Sequence, residues 1–202
     1  DNKFYITISR VEKGLSDAVG DIQGVAVNMG GAILEMSTAK GQKDMSGNAI
    51  NSHFVGTTLT SIPQLMGGYT GTADAEGNKC NQTQICGPDN IVYEDSIRTL
   101  FIGEDTGYRN NNYVWAYNID TKKLSRILST PMYAEATGLM VAPNYFGHAY
   151  IMSNFQHAGD GSAYIGDDEA QVIDAINTKW DNRKKAAVGY IGTEDGALPA
   201  FK

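Results

Sequence analysis

The sequence predicts an all-β fold, a partial β-propeller with one short helix near its C-terminus. Apolar runs of about four to seven residues, rich in Val, Ile, Tyr and Phe, recur between Gly, Asn, Asp and Pro residues. The runs repeat at a regular spacing, and only one segment has helical periodicity. The 202 residues are 42% hydrophobic, which is enough to bury a core of this kind.

Each apolar run is the length of one short strand. A single helix is predicted over Asp168–Lys184, where Ala170, Val172, Ile173, Ile176 and Trp180 fall on one face. The predicted strands are Phe4–Ser9, Gly24–Val27, Ala32–Met36, Phe54–Leu59, Ile91–Tyr93, Thr99–Ile102, Tyr113–Tyr117, Leu124–Leu128, Leu139–Val141, Ala149–Met152 and Ala187–Ile191.

An internal repeat groups these strands. Ile91–Tyr93 aligns with Leu139–Val141 at an offset of about 48 residues, and the following strands align at about 49, a period typical of propeller blades. Four strands then make one blade. On this register Phe4–Ser9 is a second strand and Ala187–Ile191 a third, so both ends stop within a blade. Residues 1–202 would form one partial domain of about three blades, completed by upstream sequence or by another chain.

The charge of the chain limits its partners. The net charge of −7 and the 16 scattered basic residues argue against a nucleic-acid binder, which needs clustered Lys and Arg. An acidic balance suits cation binding, although it also serves solubility alone. No apolar stretch approaches the ~20 residues of a membrane span. The chain begins with Asp1 rather than Met, so we expect a processed protein or a piece of a longer one.

Two cysteines share one loop. Cys80 and Cys86 favour a loop disulfide over a reduced pair, and a disulfide indicates an oxidising compartment. A zinc site made from these two alone is disfavoured, because structural zinc takes four ligands with closer spacing.

Acidic and amide side chains stand beside the predicted inner strands. Asp89, Asn90 and Glu135 come just before such strands, whose starts face the central channel of a propeller. Their oxygens suit Ca²⁺, while the alternative is a turn that caps strand backbone groups. Glu104 and Asp105 follow another strand, and alternation directs one of them to the channel. We favour Glu104 as the ligand; a solvated turn is the alternative.

His157, after Gln156, occupies the equivalent position one repeat later. It could position a phosphate, donate a proton or support a metal ligand, or it could be an ordinary surface histidine. The cations nearest these motifs, as candidates for binding a phosphate, are Lys13, Arg98 and Arg109.

The same residues carry a family resemblance. The chain resembles the PhoX-type alkaline phosphatases, bacterial propellers, over essentially its whole length and the last third or more of a family member. The motifs are Gly87-Pro88-Asp89-Asn90, Gly103-Glu104-Asp105-Thr106-Gly107, Asn110-Asn111-Asn112-Tyr113-Val114-Trp115, Ala134-Glu135-Ala136-Thr137-Gly138, Gln156-His157, Val188-Gly189-Tyr190-Ile191-Gly192 and Leu198-Pro199-Ala200, with Phe4–Asp21 similar to a mid-sequence segment.

The resemblance implies a six-bladed propeller, secreted or periplasmic in a bacterium, that hydrolyses phosphomonoesters with Ca²⁺ and Fe³⁺. It implies further ligands upstream of Asp1, including a bridging cysteine whose role does not pass to Cys80 or Cys86. The expected catalytic residues are Glu104 and His157, and the expected metal ligands are Asp89, Asn90, Glu104, Asp105 and Glu135.

Two other functions remain open. One is a non-catalytic calcium-binding propeller that acts as an extracellular scaffold or surface protein, since a fold does not fix an activity. The other is a lactonase-like hydrolase on a similar calcium propeller.

Overall fold

The fold is mostly β, with three antiparallel sheets and one helix. A computed structural model describes residues 2–12, 27–160, 169–180 and 185–197. The elements are β1 Lys3–Ile8, β2 Ala32–Ala39, β3 Val55–Met66, β4 Pro88–Glu94, a 3₁₀ helix Asp95–Ile97, β5 Thr99–Glu104, β6 Tyr113–Asn118, β7 Leu124–Ser129, β8 Glu135–Tyr145, β9 His148–Gln156, α1 Glu169–Trp180 and β10 Ala187–Gly192.

Each sheet is a run of consecutive strands. Sheet 1 has the order β1-β2-β3, sheet 2 the order β4-β5-β6-β7, and sheet 3 the order β8-β9-β10. The four strands predicted for one period therefore form a single sheet, and the all-β class is confirmed. The predicted strand Gly24–Val27 lies almost entirely outside the described residues.

Several predicted strands are longer in the structure, and two of them begin three or four residues earlier than predicted. The strand predicted at Leu139–Val141 begins at Glu135, and the one predicted at Ile91–Tyr93 begins at Pro88. In both, a register shift interrupts the alternation of side chains near the start, which hides the first residues from a period-two pattern. Asp89, Asn90 and Glu135 consequently lie within the first residues of strands and not before them.

Sheet 2 lies between the other two sheets and is buried on both faces. Alternate residues of β5 contribute to different cores: Leu100 and Ile102 belong to a cluster with Ile33 and Leu65 of sheet 1. Phe101 belongs to a second cluster with Ile151 of sheet 3. The strand period of two thus assigns one face of β5 to each neighbouring sheet.

Gly103 continues the face of β5 that meets sheet 3. A Cβ at this position would lie 2.4 Å from the carbonyl oxygen of Ala136 on β8. The absence of a side chain therefore allows β5 and β8 to approach closely at this level.

The helix covers the end of sheet 3. Ile176 is buried, and Val172 and Ile173 pack with it against Met132 and Tyr133. This part of the predicted apolar face is confirmed. Ala170 is exposed, because the face turns to solvent in the first helical turn. The side chain of Trp180 lies outside the described residues. No helix in the described part of the chain has the length and apolar character needed to cross a bilayer.

Candidate metal centre

Three side chains converge where β5, β8 and β9 meet. Asp105 follows the last residue of β5, Glu135 is the first residue of β8, and His157 follows the last residue of β9. One ligand atom from each lies within 4.8 Å of the other two. We call these three residues the metal cluster. Glu135 is buried, His157 half-buried and Asp105 exposed, so the cluster has a closed inner side and an open outer side.

Strand alternation explains why Asp105 belongs to this cluster. Along β5, Phe101 and Gly103 face sheet 3 and the residues between them face sheet 1. Asp105 continues the face toward sheet 3, which carries Glu135 and His157. Its backbone N–H donates to the carbonyl oxygen of Gly87 at 2.9 Å, which fixes the chain at this point.

The imidazole ring of His157 is oriented so that Nε2 points toward the other residues of the metal cluster. Its Nδ1 lies 3.1 Å from the carbonyl oxygen of Tyr133, which can only accept a hydrogen bond, so Nδ1 carries a proton. Nε2 lies 3.5 Å from Oε2 of Glu135. Metal-binding histidines commonly donate their other ring nitrogen to a carbonyl group in this way.

His157 and its hydrogen-bond partner Tyr133 both have an uncommon backbone conformation. His157 has φ of 47° and Tyr133 has φ of 59°, a left-handed conformation that costs energy for residues other than glycine. Such strain persists only where the surroundings enforce it, and it is concentrated at functional sites.

The two carboxylates of the cluster repel each other. Burial raises the pKa of Asp105, the negative charges of Glu135 and Asp89 raise it further, and His157 lowers it. Gln156 donates a hydrogen bond from Nε2 to Oε2 of Glu135, which holds that side chain in position. A bound cation would relieve the repulsion between the carboxylates.

Glu104 is the ligand favoured from the sequence, but it does not belong to the metal cluster. Its side chain faces sheet 1 and contacts Trp115 and Tyr113. Its Oε1 accepts from the indole Nε1 of Trp115 at 2.7 Å and from the backbone N–H of Cys86 at 2.8 Å. Its Oε2 accepts from the backbone N–H of Tyr113 at 3.0 Å and lies 3.5 Å from Nη1 of Arg109.

Glu104 and Arg109 are both fully buried, and we call this pair with its partners the Glu104 network. Burial raises the pKa of Glu104 to about 7, against the opposing effects of Arg109 and the three N–H donors. Arg109 donates from Nη2 to the carbonyl oxygens of Asn81 and Gln84. The network therefore holds the cysteine loop, where Cys80 and Cys86 form the predicted disulfide.

Asp89 and Asn90 lie beside the cluster without joining it. The amide Nδ2 of Asn90 donates to Oδ2 of Asp89 at 2.8 Å, and the carbonyl oxygen of Asp89 accepts from Thr7. Asp89 nonetheless acts on the charge of Asp105 through the electrostatic effect described above. These two residues form an oxygen-rich rim.

Two of the three cations expected to bind phosphate are placed elsewhere. Arg109 is buried in the Glu104 network, and Arg98 donates to Oδ2 of Asp120 at 2.7 Å. Lys13 lies outside the described residues. Arg10, which sequence reasoning missed, lines a cleft of about 510 Å³ together with Asp105. It follows a predicted strand, as Glu104, Asp105 and His157 do, and that position is the one sequence signal that it carries.

The cluster offers two carboxylates and an imidazole nitrogen, which are groups that transition metals accept. Ca²⁺ takes six to eight oxygen ligands, so a calcium ion would need more oxygens than these three side chains supply. The three residues fit a metal ion without distinguishing Ca²⁺ from Fe³⁺.

Comparison with known proteins adds no family: no protein-family model, no curated protein and no solved structure matches this chain.

Proposed function

We propose that this chain forms one side of a metal centre in a β-propeller that hydrolyses phosphomonoesters, as its resemblance to the PhoX-type phosphatases implies. The observation that supports the proposal is the convergence of Asp105, Glu135 and His157 from three strand ends, with Nε2 of His157 directed at the cluster. Residues from different strands meet at one point only if the fold brings them there, and this arrangement combines metal-binding side chains with an open face.

Each residue of the cluster has a distinct task in this proposal. His157 presents a nitrogen whose direction is fixed by Tyr133, and Glu135 presents a carboxylate fixed by Gln156. Asp105 supplies the exposed carboxylate next to incoming substrate. The chemistry that a bound metal supplies is polarisation of the phosphoryl oxygens and a lower pKa for a bound water. Of the expected ligands, Asp105 and Glu135 supply the carboxylates in this proposal, while Glu104 belongs to the Glu104 network.

The propeller architecture is part of the proposal, and the two faces of sheet 3 support it. Val141, Ile151 and Ile191 align across the sheet and pack on sheet 2. The alternate row of Met140, Met152 and Tyr190 also is apolar, yet it faces outward. It forms part of a depression of about 390 Å³.

Sheet 1 has a similar outer row. Phe4, Met36 and Leu59 align across it, and Phe4 and Leu59 are 46% and 55% exposed. Sheets that are apolar on both faces are built to be covered on both, as sheet 2 is. We infer that further blades, from upstream sequence or another chain, pack on these two faces.

The disulfide supports an oxidising compartment. Cys80 and Cys86 are bonded and buried, and such bonds persist in oxidising surroundings. We propose a secreted or periplasmic protein. The scaffold alternative, with calcium alone, is less well supported because His157 brings a nitrogen into the donor set.

The test has two parts. Titration with Mn²⁺, a transition-metal probe that is stable in air and accepts both carboxylate and imidazole ligands, should show binding that is lost in Glu135→Gln and kept in the control Glu76→Gln, whose side chain is exposed. The complete protein should turn over p-nitrophenyl phosphate, and a chelator should stop it. Absence of binding in the unmodified chain, or of chelator-sensitive turnover at every alkaline pH, would overturn the proposal.

A further inference from the structure

A cleft opens directly beside the metal cluster. It is lined by Ser9 and Arg10 after β1, by Met29 and Gly87, and by residues 105–108, and its volume is about 510 Å³. Asp105 belongs to both the cleft and the cluster, so a molecule bound at the cluster has room to extend into the cleft. The volume is within the range of small-molecule sites.

Arg10 gives this cleft its charge. Among the described lining residues it is the one with a positive charge, and it lines the same cleft as Asp105 of the metal cluster. Its Nε is 3.0 Å from Oε1 of Glu12, and the two side chains are 62% and 46% exposed. An ion pair so exposed contributes little to stability, so the guanidinium can exchange its partner at small cost.

The other arginines nearby are committed to structural contacts. Arg109 is buried against Glu104, and Arg98 is paired with Asp120. Arg126 lies over the ring of Tyr113, 4.5 Å from its centroid. Arg10 is therefore the arginine of the described residues that combines an exposed guanidinium with a place beside the cluster.

We propose that the cleft is the oxyanion subsite of the metal centre and that Arg10 is its phosphate-binding residue. The inference rests on the proposed function. A phosphate at the cluster extends into the cleft, and the planar guanidinium donates two parallel hydrogen bonds to its oxygens. Met29 and Tyr108 form the less polar wall, against which the organic group of a phosphomonoester packs.

The experiment measures binding of inorganic phosphate to the Mn²⁺-loaded chain by calorimetry, in the unmodified protein and in Arg10→Gln and Arg10→Lys. Arg10→Gln should weaken phosphate binding about tenfold or more, and Arg10→Lys less, because lysine keeps the charge and loses the fork. Arg98→Gln is the matched control, since Arg98 is also paired with a carboxylate, and it should leave phosphate affinity unchanged.

The metal affinity separates this inference from the proposed function. Mn²⁺ should bind equally well to Arg10→Gln and to the unmodified chain, because Arg10 is not a ligand. Unchanged phosphate affinity in Arg10→Gln, or no phosphate binding by a chain that does bind Mn²⁺, would overturn the subsite and leave the metal centre standing. No Mn²⁺ binding by the unmodified chain would overturn both.

Discussion

Glu104 and Asp105 are adjacent in the chain and lie in opposite surroundings. Glu104 faces sheet 1, where three N–H donors and Arg109 satisfy its oxygens. Asp105 faces sheet 3, where it meets a second carboxylate and a histidine. A carboxylate whose oxygens are occupied stabilises the fold, whereas one that is crowded by like charge is available to a cation. Glu104 thus has a structural role, and the proposed cation binding falls to the neighbouring residue Asp105.

The largest effect is expected from breaking the Glu104 network. Glu104→Ala leaves Arg109 buried without its carboxylate, which should lower the free energy of unfolding by about 3–5 kcal/mol. Urea denaturation measures the change, and Glu76→Ala, at an exposed position, is the control. If Glu104→Ala instead abolished Mn²⁺ binding in a chain of unchanged stability, the two carboxylates would have exchanged roles.

Substitution of Glu135 tests the metal cluster. Glu135→Ala should weaken Mn²⁺ binding at least about a hundredfold, close to 3 kcal/mol, because the cluster loses its most buried ligand. Calorimetry provides the affinity and urea denaturation the stability of the metal-free chain. A large loss of stability with unchanged affinity would place Glu135 with the structural residues.

Removal of the disulfide tests whether the Glu104 network and the metal cluster are independent of each other. The double substitution Cys80→Ser and Cys86→Ser should lower the free energy of unfolding by about 2 kcal/mol, since the loop it closes is short. Mn²⁺ affinity should change little, because the loop is held by Arg109 and Glu104 and not by the cluster. An affinity loss as large as that of Glu135→Ala would mean that the loop supports the metal site directly.

The smallest effect should come from Asp105→Asn in the metal-free chain. The pKa of Asp105 is raised on folding, so its ionised form opposes folding, and this penalty grows as pH rises through the folded pKa. Asp105→Asn should therefore increase stability slightly at neutral pH, by no more than about 0.5 kcal/mol, because solvent screens the charge of this exposed side chain. The gain should vanish below the unfolded pKa of about 4, where the carboxyl is protonated in both states. A gain that grew on acidification would contradict the proposed repulsion.

Sequence patterns predicted the strands well, because alternation and turn residues are local features. They also singled out Asp105 and Glu135 as ligands and His157 as a catalytic residue, and they ranked Glu104 above Asp105. Alternation requires Glu104 and Asp105 to point to opposite faces of sheet 2, but it does not say which neighbouring sheet lies on which face. The pairing of Arg109 with Glu104 is also a tertiary contact, which local sequence patterns do not reveal. Arg10 was missed because the cleft is made by segments that are far apart in sequence.

The contact at Gly103 bears on which ions the proposed centre would accept. Since the carbonyl of Ala136 occupies the space that a side chain would need, the spacing between the strand ends that carry Asp105 and Glu135 is set by backbone against backbone. In the proposed centre, a ligand spacing fixed in this way would favour cations of one radius. Gly103→Ala should force β5 away from β8, widen the spacing and shift the preference of the proposed centre from smaller toward larger cations.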